Sequence, residues 1–325
     1  MPAGPLTSVG IGDDAAVVGT PSGSVVAAVD LLLEGRHFLR DWSSAYDVGV
    51  KAAARSLADI AAMGAVPTAL LVALAAPGSL PARWATDLAD GLAYEATRAG
   101  AGVVGGDTAR ADSVVLSVTA LGDLAGRSPV LRSGARPGDV LAVAGPLGHS
   151  AAGFALLSAG QGQGGSAPSG LVNAAVAGPL AGLVHAHLRP APPYAAGPEA
   201  ALLGATAMID VSDGLVADLG HVAAASGVRL AIDSSALVTG GPLSEAAAIL
   251  GETTSLGGTD RADSAPSLAL SWVLTGGEDH SLVAAFPASA VLPSRWRVIG
   301  KVGSGTGVTV DGAPYAGDGG WQHFR

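Results

Sequence analysis

The chain contains no cysteine, which excludes disulfides, thiolate catalysis and zinc centres built on sulfur, and fits a reducing compartment. Aromatic residues make up only 4% of its 325 residues, too few for platforms on which nucleobases stack. Lys and Arg number 17 against 27 Asp and Glu, and the resulting formal charge of −10 argues against a surface that neutralises duplex phosphates. No basic residue precedes Arg36 and the N-terminus has no apolar core, so no secretory signal is expected. The one membrane-like run, residues 60–77, is broken by Gly64 and Pro67 and reads as a helix end followed by a buried strand over 69–75. A soluble, cytoplasmic protein is therefore expected. GxxxxGK[ST], the protein-kinase motif set and GxSxG are all missing, and GSGTGV at Gly303 is followed by no helical pattern. Among the histidines only His185 and His187 are close in sequence, and on a helix their side chains diverge, which argues against zinc.

What is present is apolar and glycine-rich: 49% hydrophobic residues, 14% charged, and 48 glycines. That composition buries a sizeable core and favours tight turns and close backbone packing. The length suits two domains, with a boundary near Pro137, giving 1–137 and 138–325. Periodicity predicts strands over 24–30, 69–75, 102–106 and 114–122, with helices over 45–63 and 83–99. The second half reads as a strand over 140–144, helices over 150–158 and 215–226, and strands over 230–233, 268–275, 281–286, 297–302 and 307–310. A low-complexity insert at 161–170, QGQGGSAPSG, is expected to be flexible. Elements alternate in both halves, so the fold class is α/β, two layered α+β domains in sequence.

Acidic residues recur where apolar segments end. In AMIDVSDGLVAD a strand delivers Asp210 and Ser212 on one face and runs into a helix start at Asp213. Asp13 and Asp14 follow Gly-Ile-Gly, Asp30 ends VVAAVD, Asp59 precedes AAMGA, Asp107 ends VVGGD, and Glu278 and Asp279 follow LTGG. Helix capping explains any one of these, but capping alone does not require so many. Lys51, Arg55 and Asp59 share a helix face, which a surface salt-bridge ladder explains equally well. Gly105 and Gly106 let backbone approach a ligand with Asp107 at the tip of the turn GGDTARAD, or simply form a hairpin turn. The loop over 126–139 carries Arg127, Arg132 and Arg136, suited to phosphate oxygens or to linking domains. An anionic partner on so acidic a chain requires divalent cations to reverse the local sign.

The blocks GIGDDAAVV, VDLLLEGRHF, ADIAAMGAVP, GGDTARAD, GRSPVLRSGARPGD, HLRPAPPY, IDVSDGLVADLGH and LTGGEDH, in that order, resemble the thiamine-monophosphate kinase family. That family belongs to the superfamily of aminoimidazole ribonucleotide synthetase and selenophosphate synthetase, and the likeness runs from Gly10 to about Val302. The resemblance implies an aminoimidazole ribonucleotide synthetase-like fold and transfer of the ATP γ-phosphoryl group to thiamine monophosphate. It implies several Mg²⁺ ions held by Asp14, Asp30, Asp59, Asp107, Asp210 and Asp213. Gly106, Asp107, Arg132 and Ser212 would contact ATP, while His37, Glu278 and Trp321 would border the thiamine phosphate. A homodimer joined through the N-terminal domains is also implied.

The residue types agree with that chemistry. Both reactants are phosphates, and hard cations on carboxylates cancel their repulsion while aligning nucleophile and leaving group. A phosphate oxygen is already ionised near neutral pH, so no general base or covalent nucleophile is expected. The chain departs from the family pattern at Ala28, Val29 and Leu31 around Asp30, at Ser56 and Ala58 before Asp59, and in GEDHS, where relatives read GEDYE. These changes bear on metal number and affinity. Two other readings remain at this level: another ATP-using member of the superfamily, against which HLRPAPPY counts, and a non-catalytic nucleotide- or cation-binding relative.

Overall fold

The computed structural model describes residues 4–9, 11, 15–160, 177–254, 267–315, 317 and 319–321. The insert at 161–170 and Asp14 lie outside them. A short ribbon, β1 (Thr7–Val9) with β2 (Val17–Val18), precedes a four-stranded sheet. That sheet contains β3 (Val26–Leu33), β4 (Val66–Ala76), β5 (Gly102–Arg110) and β6 (Val115–Asp123), in the order β3-β6-β4-β5. Strand alternation sorts its two faces. On β3, Asp30 and the fully buried Leu32 face the helices, whereas Val29 and Leu31 are 64% and 55% exposed on the other side.

Helices α1 (Ala45–Ala62) and α2 (Ala82–Arg98) cover the inner face. A capping box starts α1: the Ser44 hydroxyl accepts from the Asp47 N–H while the Asp47 carboxylate accepts from the Ser44 N–H. The two helices cross where only glycine fits. A Cβ on Gly49 would lie 2.2 Å from the Leu88 carbonyl oxygen, and one on Gly91 would lie 2.1 Å from that of Tyr46. Part of the glycine content is thus spent on bringing two helix backbones together.

A seven-stranded sheet follows: β7 (Val140–Ala144), β8 (Ala207–Asp210), β9 (Arg229–Ile232), β10 (Leu282–Phe286), β11 (Trp296–Gly303), β12 (Gly307–Val310) and β13 (Ala313–Pro314). Its order is β13-β12-β9-β11-β7-β10-β8, and every pairing is antiparallel except β9 with β12. Its helices are α3 (His149–Gly160), α4 (Ala181–Leu188), α5 (Ala196–Leu202), α6 (Leu215–Ser226), α7 (Pro242–Thr254) and α8 (Leu268–Thr275).

The two faces of this sheet enter different cores. Leu141, Val143 and Ile209 pack with α3, α6 and α8, whereas Ala142, Ala144, Met208 and Phe286 join the core that holds Leu57 and Ile60 of α1. Helix α1 is therefore packed between both sheets, and its side chains can meet loops from either one.

Two sequence expectations change. Residues 268–275 form a helix, not a strand: the Ser267 hydroxyl caps it by accepting the Leu270 N–H, and an apolar run of that length has no period to distinguish the two states. Strand β5 continues through Arg110, so Asp107 lies within a strand and not at a turn tip. Among the described residues, no helix is long and apolar enough to cross a membrane.

Candidate active site

Three acidic side chains from distant parts of the chain meet where α1 passes between the sheets. Asp59 comes from α1, Asp30 from the inner face of β3, and Asp210 from the end of β8. Burial, with the negative charges of Asp210 and Asp30 beside it, pushes the Asp59 carboxyl up to about 8, against the opposing pull of Arg132 and Arg55. Asp30 accepts a 2.9 Å hydrogen bond from the Ser56 hydroxyl and lies 3.8 Å from the Arg55 guanidinium. Asp210 Oδ2 lies 3.0 Å from His280 Nδ1.

The turn after β8 is organised by a carboxylate that sequence reasoning missed. Asp218 accepts the backbone N–H groups of Ser212, Asp213 and Gly214 at 3.0, 3.0 and 3.1 Å. Even so, burial and the neighbouring charge of Asp210 raise its carboxyl to about 7. The available signal was its place in the first turn of the helix that follows SDG. Asp279 acts similarly at a distance, accepting from the N–H groups of Gly148 and Ser150 at the start of α3. Burial raises it to about 7.

Beside the acidic group lies a cluster of basic side chains gathered by Glu278. Lys51 Nζ and Arg55 Nη1 of α1 reach Glu278 at 3.0 and 3.1 Å, and His187 Nδ1 of α4 lies 3.7 Å away. Burial alone would push the Glu278 carboxyl up. The Lys51 ammonium, with His187 and Arg55, more than offsets that and holds it down at about 2. Burial lowers the pKa of Lys51, which is only 2% exposed, and lowers that of His187 to about 3. The surface-ladder reading of Lys51, Arg55 and Asp59 is therefore corrected, because all three face partners carried by the second half of the chain. Sequence spacing showed that they share a face, but only the packing of α1 shows that this face is covered.

The remaining candidates fall around this centre in different ways. The Ser212 carbonyl accepts the Glu278 N–H at 2.8 Å, which ties the SDG turn to the GGEDH loop. The Trp321 N–H donates to the Asp213 carbonyl at 2.9 Å, leaving a ring that is 60% exposed at the same turn. Arg132 is exposed, and its charge bears on Asp59. In the turn that follows β3, His37 Nδ1 accepts the Leu33 N–H at 2.9 Å.

Gly106 and Asp107 sit apart on β5. The pairing runs Asp30, Val118, Val72, Gly106 across the sheet, which sets Asp107 three strands from Asp30, about 14 Å away. Asp107 accepts its neighbour's N–H, that of Thr108, at 2.8 Å. A Cβ on Gly106 would lie 1.9 Å from the Val72 carbonyl oxygen, so close strand packing already requires glycine there. Gly105, Gly106 and Asp107 line a cleft of about 1090 Å³, walled also by Leu71, Ser117 and Thr119. That cleft is largely apolar and separate from the charged centre. At the charged centre, by contrast, opposed charges converge under burial.

Among the described residues, no group of three His, Cys, Asp or Glu side chains is already disposed around a common metal position. The donor set nonetheless suits Mg²⁺, since it is all carboxylate oxygen, and a divalent cation would offset the burial of Asp59 beside the charges of Asp210 and Asp30.

Known proteins share this arrangement of elements. Residues 12–124 match the family described as AIR synthase related protein, N-terminal domain. Over 317 residues the chain is 48% identical to the thiamine-monophosphate kinase of Mycobacterium tuberculosis, covering 97% of this chain and 86% of that one. The chain belongs to the thiamine-monophosphate kinase family. The enzyme of that name from Corynebacterium glutamicum is 41% identical, over 96% of this chain and 88% of its own. The solved structure described as AaThiL complexed with AMPPCP and TMP superposes with a TM-score of 0.79 at 31% identity, covering 97% of this chain and 92% of the other. Likeness to thiamine-monophosphate kinases thus extends across both sheets and the seam between them.

Proposed function

We propose that this chain transfers the γ-phosphoryl group of ATP to thiamine monophosphate, yielding thiamine diphosphate and ADP. The observation that carries the reading is the meeting of Asp30, Asp59 and Asp210, with Arg132 beside them, in a member of the thiamine-monophosphate kinase family. Asp30, Asp59 and Asp210 would hold Mg²⁺, with Asp14 and Asp213 as the further ligands, whereas Asp107, three strands from Asp30, lies apart from that centre. When bound, these ions cancel the negative charge of two phosphate groups and stabilise the charge that develops during in-line transfer. Arg132 and Ser212 would take the nucleotide at that centre, while Gly106 and Asp107, also expected to contact it, lie apart on β5. His37, Glu278 and Trp321 border the acceptor, and Glu278 is kept ionised and in place by Lys51 and Arg55.

The chain divides functionally at about residue 137, with the N-terminal part bearing the first sheet and the C-terminal part completing the site. Its working form is a homodimer in a cytoplasmic setting. The outer face of the four-stranded sheet supports the dimer: Val25, Val29, Leu31 and Leu71 are exposed there, an apolar surface that a second copy covers. Val25 and Leu71 of that face also line the cleft that holds Asp107, so pairing would bring Asp107 closer to cover.

An ADP-release assay with Mg²⁺, with and without thiamine monophosphate, tests the reading. Release that depends on the acceptor is expected. Acceptor-independent release would point to a different ATP-using enzyme, and no release to a non-catalytic relative.

A further inference from the structure

His280, in the GGEDHS loop after α8, lies against Asp210. It is only 2% exposed, and its backbone has φ 52, a conformation that few non-glycine residues adopt. Its N–H donates to the Val211 carbonyl at 2.9 Å, which fixes the main chain beside the end of β8. Nδ1 lies 3.0 Å from Asp210 Oδ2. The other ring nitrogen, Nε2, is buried and has no hydrogen-bond partner among the described residues.

That asymmetry assigns the tautomer. A proton on Nε2 would be a buried donor with nothing to bind, whereas a bare lone pair there is the less costly arrangement. In that arrangement Nδ1 carries the proton and donates it to Oδ2.

We propose that His280 is a positioning residue for Asp210: its Nδ1–H holds Oδ2 and orients the carboxylate to give Oδ1 to a divalent cation. This rests on the reading of Asp210 as a metal ligand. A hydrogen-bonded outer partner of this kind changes metal affinity by roughly 10- to 100-fold.

The test is Mn²⁺ uptake by the full-length, metal-free chain, followed by the loss of the free-ion electron paramagnetic resonance signal, with urea unfolding as a check on the fold. Asn places an N–H the same number of bonds from the backbone as Nδ1, whereas Gln places it one bond farther. His280→Gln should weaken Mn²⁺ binding about tenfold, and His280→Asn should stay within about threefold of wild type. Asp210→Asn should weaken it at least as much as His280→Gln. If Asp210→Asn weakens binding and a folded His280→Gln does not, the positioning role is wrong. If His280→Asn binds as poorly as Asp210→Asn, the donated hydrogen bond is not what matters and the proposal also fails. Should Asp210→Asn bind like wild type, or wild type take up no Mn²⁺, the metal reading of Asp210 falls first.

Discussion

Replacing Glu278 by Gln keeps the shape of the side chain and the backbone at φ 65 but removes the charge that Lys51 and Arg55 share. The drop in the Glu278 carboxyl from 4.5 to about 2 corresponds to about 3 kcal/mol of preferential stabilisation of the ionised form. The variant should therefore lose about 3 kcal/mol at pH 7, comparable to breaking other buried pairs from one side. The sign of the pH effect follows from the direction of that shift. A carboxyl lowered on folding contributes fully above its unfolded value of 4.5 and loses the contribution as pH falls toward about 2. Urea unfolding of both proteins at pH 7, 5 and 3.5 should show an almost constant gap between the first two and a smaller one at the third. A gap below about 0.5 kcal/mol at pH 7 would refute the claim that this cluster binds the two halves of the chain, as would a gap that does not shrink at pH 3.5.

Asp59→Asn should lower turnover by at least ~100-fold and yet stabilise the metal-free protein at high pH. Folding raises this carboxyl from 3.8 to about 8, so wild-type stability falls as pH rises through that interval while the amide is indifferent. Urea midpoints at pH 5 and 8.5 without divalent ions should thus diverge in favour of the variant, and a constant or reversed difference would count against the burial of Asp59 beside Asp210 and Asp30. Leu31→Glu places a carboxylate on the outer sheet face at a position 55% exposed in the single chain, so the fold should survive while dimerisation weakens by ~100-fold or more. Light scattering after size exclusion should report a monomer mass; a retained dimer would mean that the partner covers some other surface.

Most of the secondary structure was legible because it obeys local rules. The helix over 45–63 carried its stop in Gly64, while its capping box at Ser44 and Asp47 emerged from the structure, and the strands over 140–144 and 307–310 stood as compact, largely apolar runs. The segment over 268–275 was misread because a short run that is apolar on all sides has no period. Asp218 went unnoticed since an acidic residue in a first helical turn is ordinary; its three backbone partners depend on how the SDG turn folds back.

Family and the residue types available for chemistry were readable from the sequence alone, because ordered motifs and composition need no coordinates. Which of those residues share a volume was settled only by tertiary structure. Lys51, Arg55 and Asp59 occupy one helix face in either case, but only the packing of α1 between two sheets puts Glu278 opposite the first two and Asp30 and Asp210 beside the third. The same three residues exposed to water would have been a weak surface ladder. Burial turns them into two charged clusters because desolvation makes each unpaired charge costly and each nearby charge strongly felt.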